Sequence, residues 1–370
     1  MPYQRLTLNT ANLSIDWQNQ VVYLRIHFEK IVVHHLNGLG LGGTEGMVQI
    51  LLGWLSKYDR SYDHWLAYKS DGDKTREPYF RDAIGQSRMF CYTSQHQLIE
   101  KVKELKPFVV HRYSAGIPEW PLVPQIKEHS KHFLSTAVFA NQDNSIDISR
   151  VIYVSQQLKM VAGFGDNPKH VVLRNSIESP YSNENLREEL GIPDDAFVFG
   201  RIGRDDENIY DPINLEAYGQ VETSRTFFVI VNASDLCRSD ISKFGISNAK
   251  FIDKTTSKER LSKFYNTIDV LAHARKDGEC NPANVWEAAA HGKPVISHYG
   301  QTFNGHIETI ADTGFVVLPN DTSEYTRIMK GFIDGSIDYK YYSDRAKQNW
   351  HDVCRPEIIG RKYLDILNSL

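Results

Sequence analysis

The 370-residue sequence predicts an α/β protein of two units, each built on a mostly parallel sheet, facing one another across a cleft. Three observations carry this prediction. Strand-length apolar runs alternate with helix-length segments, the pattern of a parallel sheet covered on both faces. The alternation lapses in a polar, turn-rich stretch, "SIESPYSNENLREELGIPDD" at 176–195, and then resumes. The length also exceeds what one hydrophobic core usually serves.

The elements follow in order. Residues 1–30 hold short strand-like runs at 6–9, 13–17 and 21–26, readable as a hairpin added to a sheet edge. "KIVVHHLNGLGLGGTEGMVQILLGWLSKY" is an apolar strand over 31–36, a glycine-rich loop, and a helix whose Met47, Ile50, Leu51 and Trp54 recur at helical spacing. "HWLAY", "RMFCY", "FVVHRY", "FLSTAVFA" and "VIYVS" are further strands, separated by segments such as "SQHQLIEKVKELK" that are long enough for helices. Beyond the turn-rich stretch, the linker candidate, come "FVFGRIG", "TFFVIVNA", "AKFID", "DVLAHA", "KPVIS" and "GFVVL", with helices over 214–221, 258–266, 283–291 and 323–334. The chain ends as helix, break near Pro356, helix. Two such units place the carboxyl ends of both sheets against a shared cleft, where ligands of open α/β sheets bind.

Composition excludes some functions. A net charge of -4, a pI near 6.4 and 41% hydrophobic residues rule out wholesale disorder and argue against a dedicated nucleic-acid binder. Residues 1–180 carry 20 Lys and Arg against 17 Asp and Glu, whereas the remainder carries 22 against 29. The mildly basic first half is compatible with peripheral contact to a membrane leaflet. Cys91, Cys237, Cys280 and Cys354 lie far apart without CxxC spacing, and no run resembles a secretory signal or a bilayer span. These features lead us to expect a reduced, cytoplasmic protein without structural zinc.

"DGECNPANVWEAAAHGKPVIS", 277–297, carries the chemistry. Pro282 suits a first helical position and Asn281 an N-cap, while Gly292 and Pro294 stop the helix "PANVWEAAAH". The helix N-terminus then points from the sheet's carboxyl edge into the cleft, where free N–H groups and the helix dipole favour a phosphate. Glu279 lies just before that anion site and Glu287 about a turn and a half inside the helix. Carboxylates at these two places can accept hydrogen bonds from sugar hydroxyls on either side of a diphosphate, a sugar-nucleotide clamp.

These residues resemble the family 4 retaining glycosyltransferases, of the two-domain GT-B fold with Rossmann-like domains. "ECNPANVWE" is similar to that family's E-x7-E motif, and "EAAAHGKPVIS" to the segment after it. "GLGGTE" (40–45) resembles the glycine-rich loop after the first strand, "VIYVSQQLK" the strand ending in Val-Ser, and "VVLRNSIE" the Asn-containing strand before the interdomain linker. "GHIETIADTGFVV" is similar to the family's Gly…Glu…Thr-Gly segment, and the final helix resembles the one that crosses back to the first domain. The likeness runs in order from about residue 30 to 370, giving domains at 1–178 and 179–350 with 351–370 packing back on the first.

The resemblance implies contacts from Glu279 to the donor sugar, from Glu287 to the nucleotide ribose, and from the backbone of Asn281, Pro282 and Ala283 to sugar and phosphate. It brings Gly42 and Gly43 to the diphosphate from the other domain, where the lack of side chains allows close backbone approach. In "FGRIGRDDENIY" Arg204 fits the family's arginine, with Arg201 as the alternative, but the lysine that follows in the family has no counterpart: Asp205, Asp206, Glu207 and Asn208 stand there. Acidic residues beside a leaving diphosphate are unfavourable unless they point away. "VVHRYSAG" falls where the family has His-x-His; His111 holds the first position and Tyr113 the second. His34, His35, Asp143 and His273 are further candidates for cleft contacts; His34 and His35, adjacent in a strand, point to opposite faces.

The implied reaction is transfer of a sugar from a nucleotide-diphosphate sugar to an acceptor hydroxyl with retention, catalysed by Glu279, Arg204 and His111, and serving glycan or surface polysaccharide synthesis. No metal or other cofactor is implied. The acceptor stays open among a glycan, a lipid-linked saccharide, a protein and a small molecule. Two other readings stay open: a GT-B scaffold that binds a sugar nucleotide or glycan without transferring it, motivated by the absent lysine, and a GT-B epimerase or phosphorylase.

Overall fold

The computed structural model describes residues 11–16, 21–26, 30–40, 42–114, 121–139 and 145–370. Two strands, β1 (Ala11–Asp16) and β2 (Val21–Ile26), pair antiparallel with one another and form a sheet of their own. The hairpin expected near the N-terminus is therefore present, but among the described residues it does not extend the edge of a larger sheet.

The first unit runs β3 (Lys30–Leu36), α1 (Gly43–Tyr58), β4 (Tyr62–Lys69), α2 (Glu77–Ile84), β5 (Met89–Tyr92), α3 (Gln95–Leu105), β6 (Val109–Ser114), α4 (Leu122–Lys127), β7 (His132–Ala137), β8 (Arg150–Tyr153), α5 (Gln156–Val161) and β9 (His170–Val172). Its seven strands are parallel in the order β5-β4-β3-β6-β7-β8-β9. Val32, Val33, Val109, Val110, Phe133 and Leu134 are buried on its two faces, which is why these strands read as continuous apolar runs.

The second unit runs α6 (Arg187–Leu190), β10 (Phe197–Ile202), α7 (Ile213–Gly219), β11 (Thr226–Val231), α8 (Asp235–Lys243), β12 (Ala249–Ile252), α9 (Lys258–Thr267), β13 (Val270–Ala272), β14 (Gly278–Glu279), α10 (Ala283–Ala290), β15 (Val295–His298), β16 (Phe303–Asn304), α11 (Gly305–Ile310), β17 (Gly314–Val317), α12 (Thr322–Asp334), α13 (Tyr339–Val353) and α14 (Pro356–Asn368). Six of its strands are parallel in the order β12-β11-β10-β13-β15-β17, while β14 and β16 pair separately. The stretch read as a linker is not bare: it holds α6, and Leu186 and Ile192 are buried against β10 and β11 residues such as Val198 and Phe227.

The two units are packed together. Trp286, Ala289 and Ala290 of α10 share a core with Val32, Leu51 and Leu55 of the first unit and with Trp350, Ile359 and Tyr363 of α13 and α14. Burying an indole of this size removes about 150–250 Å² from water, on the order of 4–6 kcal/mol as an upper bound. Gly360 of α14 lies so close to α1 that a Cβ there would stand 2.0 Å from Trp54 Cε3, and Tyr62 OH donates to Asn368 Oδ1 at 2.9 Å. The final helix thus rests on the first unit. Among the described residues, no helix is long and apolar enough to cross a membrane.

Candidate active site

Between the units, at the carboxyl ends of both sheets, lies a cleft of about 1520 Å³. Its lining includes Gly42, Gly43, Arg204, Asn281, Ala283, Glu279 and Glu287, so nearly all the expected donor-binding residues meet in one place. Pro282 is buried at the head of α10 beside them.

Local backbone demands set Glu279. Gly278 has φ +74, and a Cβ on it would lie 1.8 Å from the Phe303 carbonyl oxygen, so only glycine makes this turn. Gly305, at the start of α11, comes equally close to the Cys280 carbonyl. The Glu279–Cys280 segment is thereby pinned between β16 and α11. Arg275 holds the carboxylate: its Nη1 donates to Glu279 Oε1 at 3.0 Å, while its Nε and Nη2 fork onto Asp277 at 2.6 and 3.0 Å. Burial raises the Glu279 carboxyl above the usual range, and the Arg275 charge pulls against that rise. The same burial pushes the neighbouring Cys280 thiol up to about 12.

Glu287 faces the cleft from α10. Tyr265 OH donates to its Oε2 at 2.7 Å. Burial raises its carboxyl as well, opposed by the Tyr265 bond and by the charges of Arg76 and Lys258. Lys258 itself donates to the Glu178 carboxylate and, at 2.8 Å, to Tyr181 OH.

α10 begins one residue later than its sequence suggests, with Pro282 at the cap position rather than Asn281, and no side chain caps it. Asn281 Oδ1 instead accepts the Trp286 indole N–H at 2.9 Å. The reason is the indole: fully buried, it needs an acceptor, and Asn281 is within reach. The Asn281 carbonyl accepts from Asn175 Nδ2 at 3.3 Å, which ties the strap to the first unit. Glu308 does the same one helix on, accepting from Arg174 Nη2 at 2.7 Å and from Gln157 N at 3.2 Å.

On the opposite wall, Gly42 caps α1 and Gly43 opens it. A Cβ on Gly43 would meet nothing within 4 Å, so the head of α1 faces open space. A Cβ on Gly42 would strike Glu45 Oε2 at 2.2 Å.

The deeper wall holds buried donors without acceptors. Arg201 Nε, His273 Nε2 and Asn281 Nδ2 are buried and have no hydrogen-bond partner among the described residues, and all three residues line the cleft. Asn284 Nδ2 donates to His273 Nδ1 at 3.2 Å and to Ile202 O at 3.3 Å. His273 Nδ1 is therefore an acceptor, and its Nε2 carries the proton. Burial, then the neighbouring His306 and His298, hold this imidazole well below its ordinary pKa, so it stays neutral. The Arg201 guanidinium sits 4.8 Å from the Tyr210 ring centre and Arg204 is exposed in the cleft mouth, with Asp205 and Asp206 lining the same mouth.

His111 is not in the cleft. It is the third residue of β6, not its end, and it is fully buried on the α14 side of the sheet. Its Nδ1 is hydrogen-bonded to Tyr363 OH at 2.9 Å and its Nε2 to Thr136 Oγ1 at 2.7 Å. Burial pushes its pKa down to about 3. Nothing remains on the ring to offer a substrate, so the catalytic role expected for it is corrected to a structural one. His34 belongs to the same layer and His35 to the opposite face, bonded to Tyr92 OH at 2.6 Å, as adjacent strand residues require. His273 does line the cleft; Asp143 lies outside the described residues.

Several lining residues escape sequence reasoning: Arg76, Tyr181, Lys254, Lys258 and Tyr265. Arg275 had a signal, the charge alternation of "RKDGE" that puts Arg275, Asp277 and Glu279 on one side of a turn.

Residues 181–349, most of the second unit, match the model of the glycosyl transferases group 1 family. No curated protein matches the chain in sequence. Among solved structures, a glycosyltransferase from Rickettsia africae superposes with TM-score 0.73 at 17% identity, covering 93% of this chain and 99% of that one. The Anabaena protein HepE, solved with UDP and glucose, gives 0.69 at 17%, covering 92% and 100%. Sucrose-phosphate synthase from Thermosynechococcus elongatus gives 0.69 at 14%, covering 92% and 99%. At these identities the likeness establishes the architecture, which is GT-B.

Proposed function

We propose that this protein is a retaining hexosyltransferase of the family 4 type, moving a sugar from a nucleotide-diphosphate sugar to an acceptor hydroxyl in glycan or surface polysaccharide synthesis. The observation that carries the reading is the convergence of acceptors and unmet donors in one cleft. Two carboxylates with raised pKa, Glu279 and Glu287, flank the head of α10, and the buried donors of Arg201, His273 and Asn281 stand beside them without acceptors. Buried donors without acceptors are rare and costly, so this wall is built for a ligand rich in acceptor oxygens. A sugar diphosphate supplies phosphate oxygens for the donors and hydroxyls for the carboxylates.

In the reaction, the bond from the anomeric carbon to the diphosphate oxygen breaks and a bond to the acceptor oxygen forms on the same face. The acceptor proton passes to the departing diphosphate. Arg204 and the head of α10 meet the charge on the leaving group, in place of a metal. Glu279, held by Arg275, binds the sugar as it loses that bond, and Glu287 binds the ribose. Gly42 and Gly43 approach the diphosphate from the facing unit, which excludes water as the cleft closes. The Anabaena relative's complex with UDP and glucose supports this ligand class.

A non-catalytic sugar-nucleotide scaffold is the second reading, favoured by Asp205 and Asp206 lining the mouth beside Arg204. The test is calorimetric titration of UDP, GDP, ADP and dTDP into wild type and Glu287→Ala. One nucleotide is expected to bind in the micromolar range, and the variant to weaken it about tenfold, near 1.4 kcal/mol for a lost ribose contact. Unchanged affinity in Glu287→Ala would remove the ribose assignment.

A further inference from the structure

The cleft lacks the lysine expected after Arg204, yet it is rich in cations, and their partners sort them. Lys258 is paired with Glu178, and Arg275 with Asp277 and Glu279. Arg76, Arg201, Arg204 and Lys254 line the cleft with no carboxylate within 4.0 Å among the described residues. Three of these four belong to the second unit. Arg76 alone comes from the first.

Arg76 is held in place without being neutralised. Its Nε donates to Gly40 O at 3.0 Å and its Nη1 to Gln49 Oε1 at 2.8 Å, both uncharged acceptors. Its own N–H donates to Leu39 O at 2.7 Å, which ties the start of α2 to the glycine loop. That tie depends on close backbone packing, since a Cβ on Gly72 would lie 2.7 Å from Asn37 O. Nη2 lies along α1, 3.3 Å from where a Cβ on Gly46 would stand, and has no acceptor among the described residues. A guanidinium oriented by two of its three nitrogens, with the third open, has lost its rotamer freedom before a ligand arrives.

Its location follows from the same contacts. Gly46 is one turn behind the head of α1, and Glu287 is one turn behind the head of α10. The carboxylates whose charges act on Arg76 are Glu45 from its own wall, Glu287 from α10 across the cleft, and Glu178 from the segment that joins the units. Arg76 therefore stands opposite Glu287, on the path a chain of ribose and phosphates takes between the two helix heads.

We infer that Arg76 supplies, from the opposite domain, the positive charge that the second domain lacks after Arg204, contacting the phosphate nearest the ribose of a bound nucleoside diphosphate. The inference rests on the donor-site reading above. It makes diphosphate binding and domain closure one event, because the cation and Glu287 sit on different walls.

The experiment titrates UDP, GDP, ADP and dTDP into wild type, Arg76→Gln and Arg76→Lys, with the four matching nucleosides followed by saturation-transfer NMR and urea unfolding as a control on folding. For the diphosphate that wild type binds, Arg76→Gln should weaken affinity at least tenfold, and Arg76→Lys, which keeps the charge but not the fork that orients it, should recover only part of that loss. The matching nucleoside should change less than threefold. Equal losses for nucleoside and diphosphate would reduce Arg76 to a structural role, and unchanged diphosphate affinity would remove it from the site. If wild type binds none of the four diphosphates, the donor-site reading fails first and this inference with it.

Discussion

Two polar clusters in this molecule have similar composition and opposite accounting. Beneath α14, the Asp59 carboxylate accepts from His64 Nε2 at 2.9 Å, His64 Nδ1 meets His34 Nε2 at 3.1 Å, and His34 Nδ1 meets Tyr113 OH at 2.9 Å. His111 is closed off by Tyr363 and Thr136. Every ring nitrogen of His34, His64 and His111 has a partner. In the cleft, by contrast, His273, Arg201 and Asn281 each keep a buried donor that nothing among the described residues accepts. A saturated network holds elements together, here the sheet and the last helix, whereas an unsaturated one has been left for something that comes and goes. Residue type alone would have ranked the three-histidine cluster as the more catalytic of the two.

The contrast is broken most directly at Glu279. Glu279→Ala should lower turnover on a nucleotide-sugar donor by at least about 100-fold, near 2.7 kcal/mol of transition-state stabilisation, with nucleotide affinity changed by only a few-fold. The check is a steady-state rate beside a calorimetric Kd. A loss confined to Kd would make Glu279 a plain binding residue.

On the saturated side, Tyr363→Phe removes one hydroxyl and leaves His111 Nδ1 buried without a partner. Such an orphan costs about 1–3 kcal/mol. The denaturant midpoint should fall accordingly with an unchanged m-value, and turnover should stay as in wild type. A variant that kept its stability and lost its rate would return His111 to the chemistry.

These outcomes also bear on what was legible beforehand. The alternation of strands and helices exposed both sheets, because a two-sided buried strand leaves a dense apolar run. Glu279 and Glu287 were visible because both belong to one local motif whose glycine and helix stop are encoded beside it. The place of His111 is not legible because "VVHRYS" does not say where β6 ends, and the contact with α14, through Tyr363 252 residues away, is what takes up one side of its ring. The sequence marks Asn281 as a cap because cap propensity is local, whereas the buried indole that claims it is a packing result. Arg76, Lys258 and Tyr265 carried no local signal, since each acquires its meaning only when two or more distant segments close the cleft.

The smallest and most diagnostic effect is on pH dependence, where the two clusters pull in opposite directions. His34 and His111 have folded pKa values below the ordinary 6.5, the latter at about 3, chiefly through burial. Below pH 6.5 the unfolded chain therefore binds protons that the folded one refuses, so their contribution is complete above 6.5 and is lost as pH falls toward 3. Glu279 and Glu287 have raised folded values, again chiefly through burial. Their burial costs stability at neutral pH, and that cost is relieved as pH falls through their folded values. Wild type should thus lose stability from pH 7 to 5, as the histidine term dominates there. Glu287→Gln, which keeps a bond from Tyr265, should be more stable than wild type at pH 7, with the gap closing toward pH 4 as the wild-type carboxyl takes up its proton. Chemical denaturation of both proteins at pH 7, 5.5 and 4 measures this. A gap that stayed constant with pH would mean that Glu287 is not strained by its ionisation, and the cleft would then differ from the network under α14 only in its unmet donors.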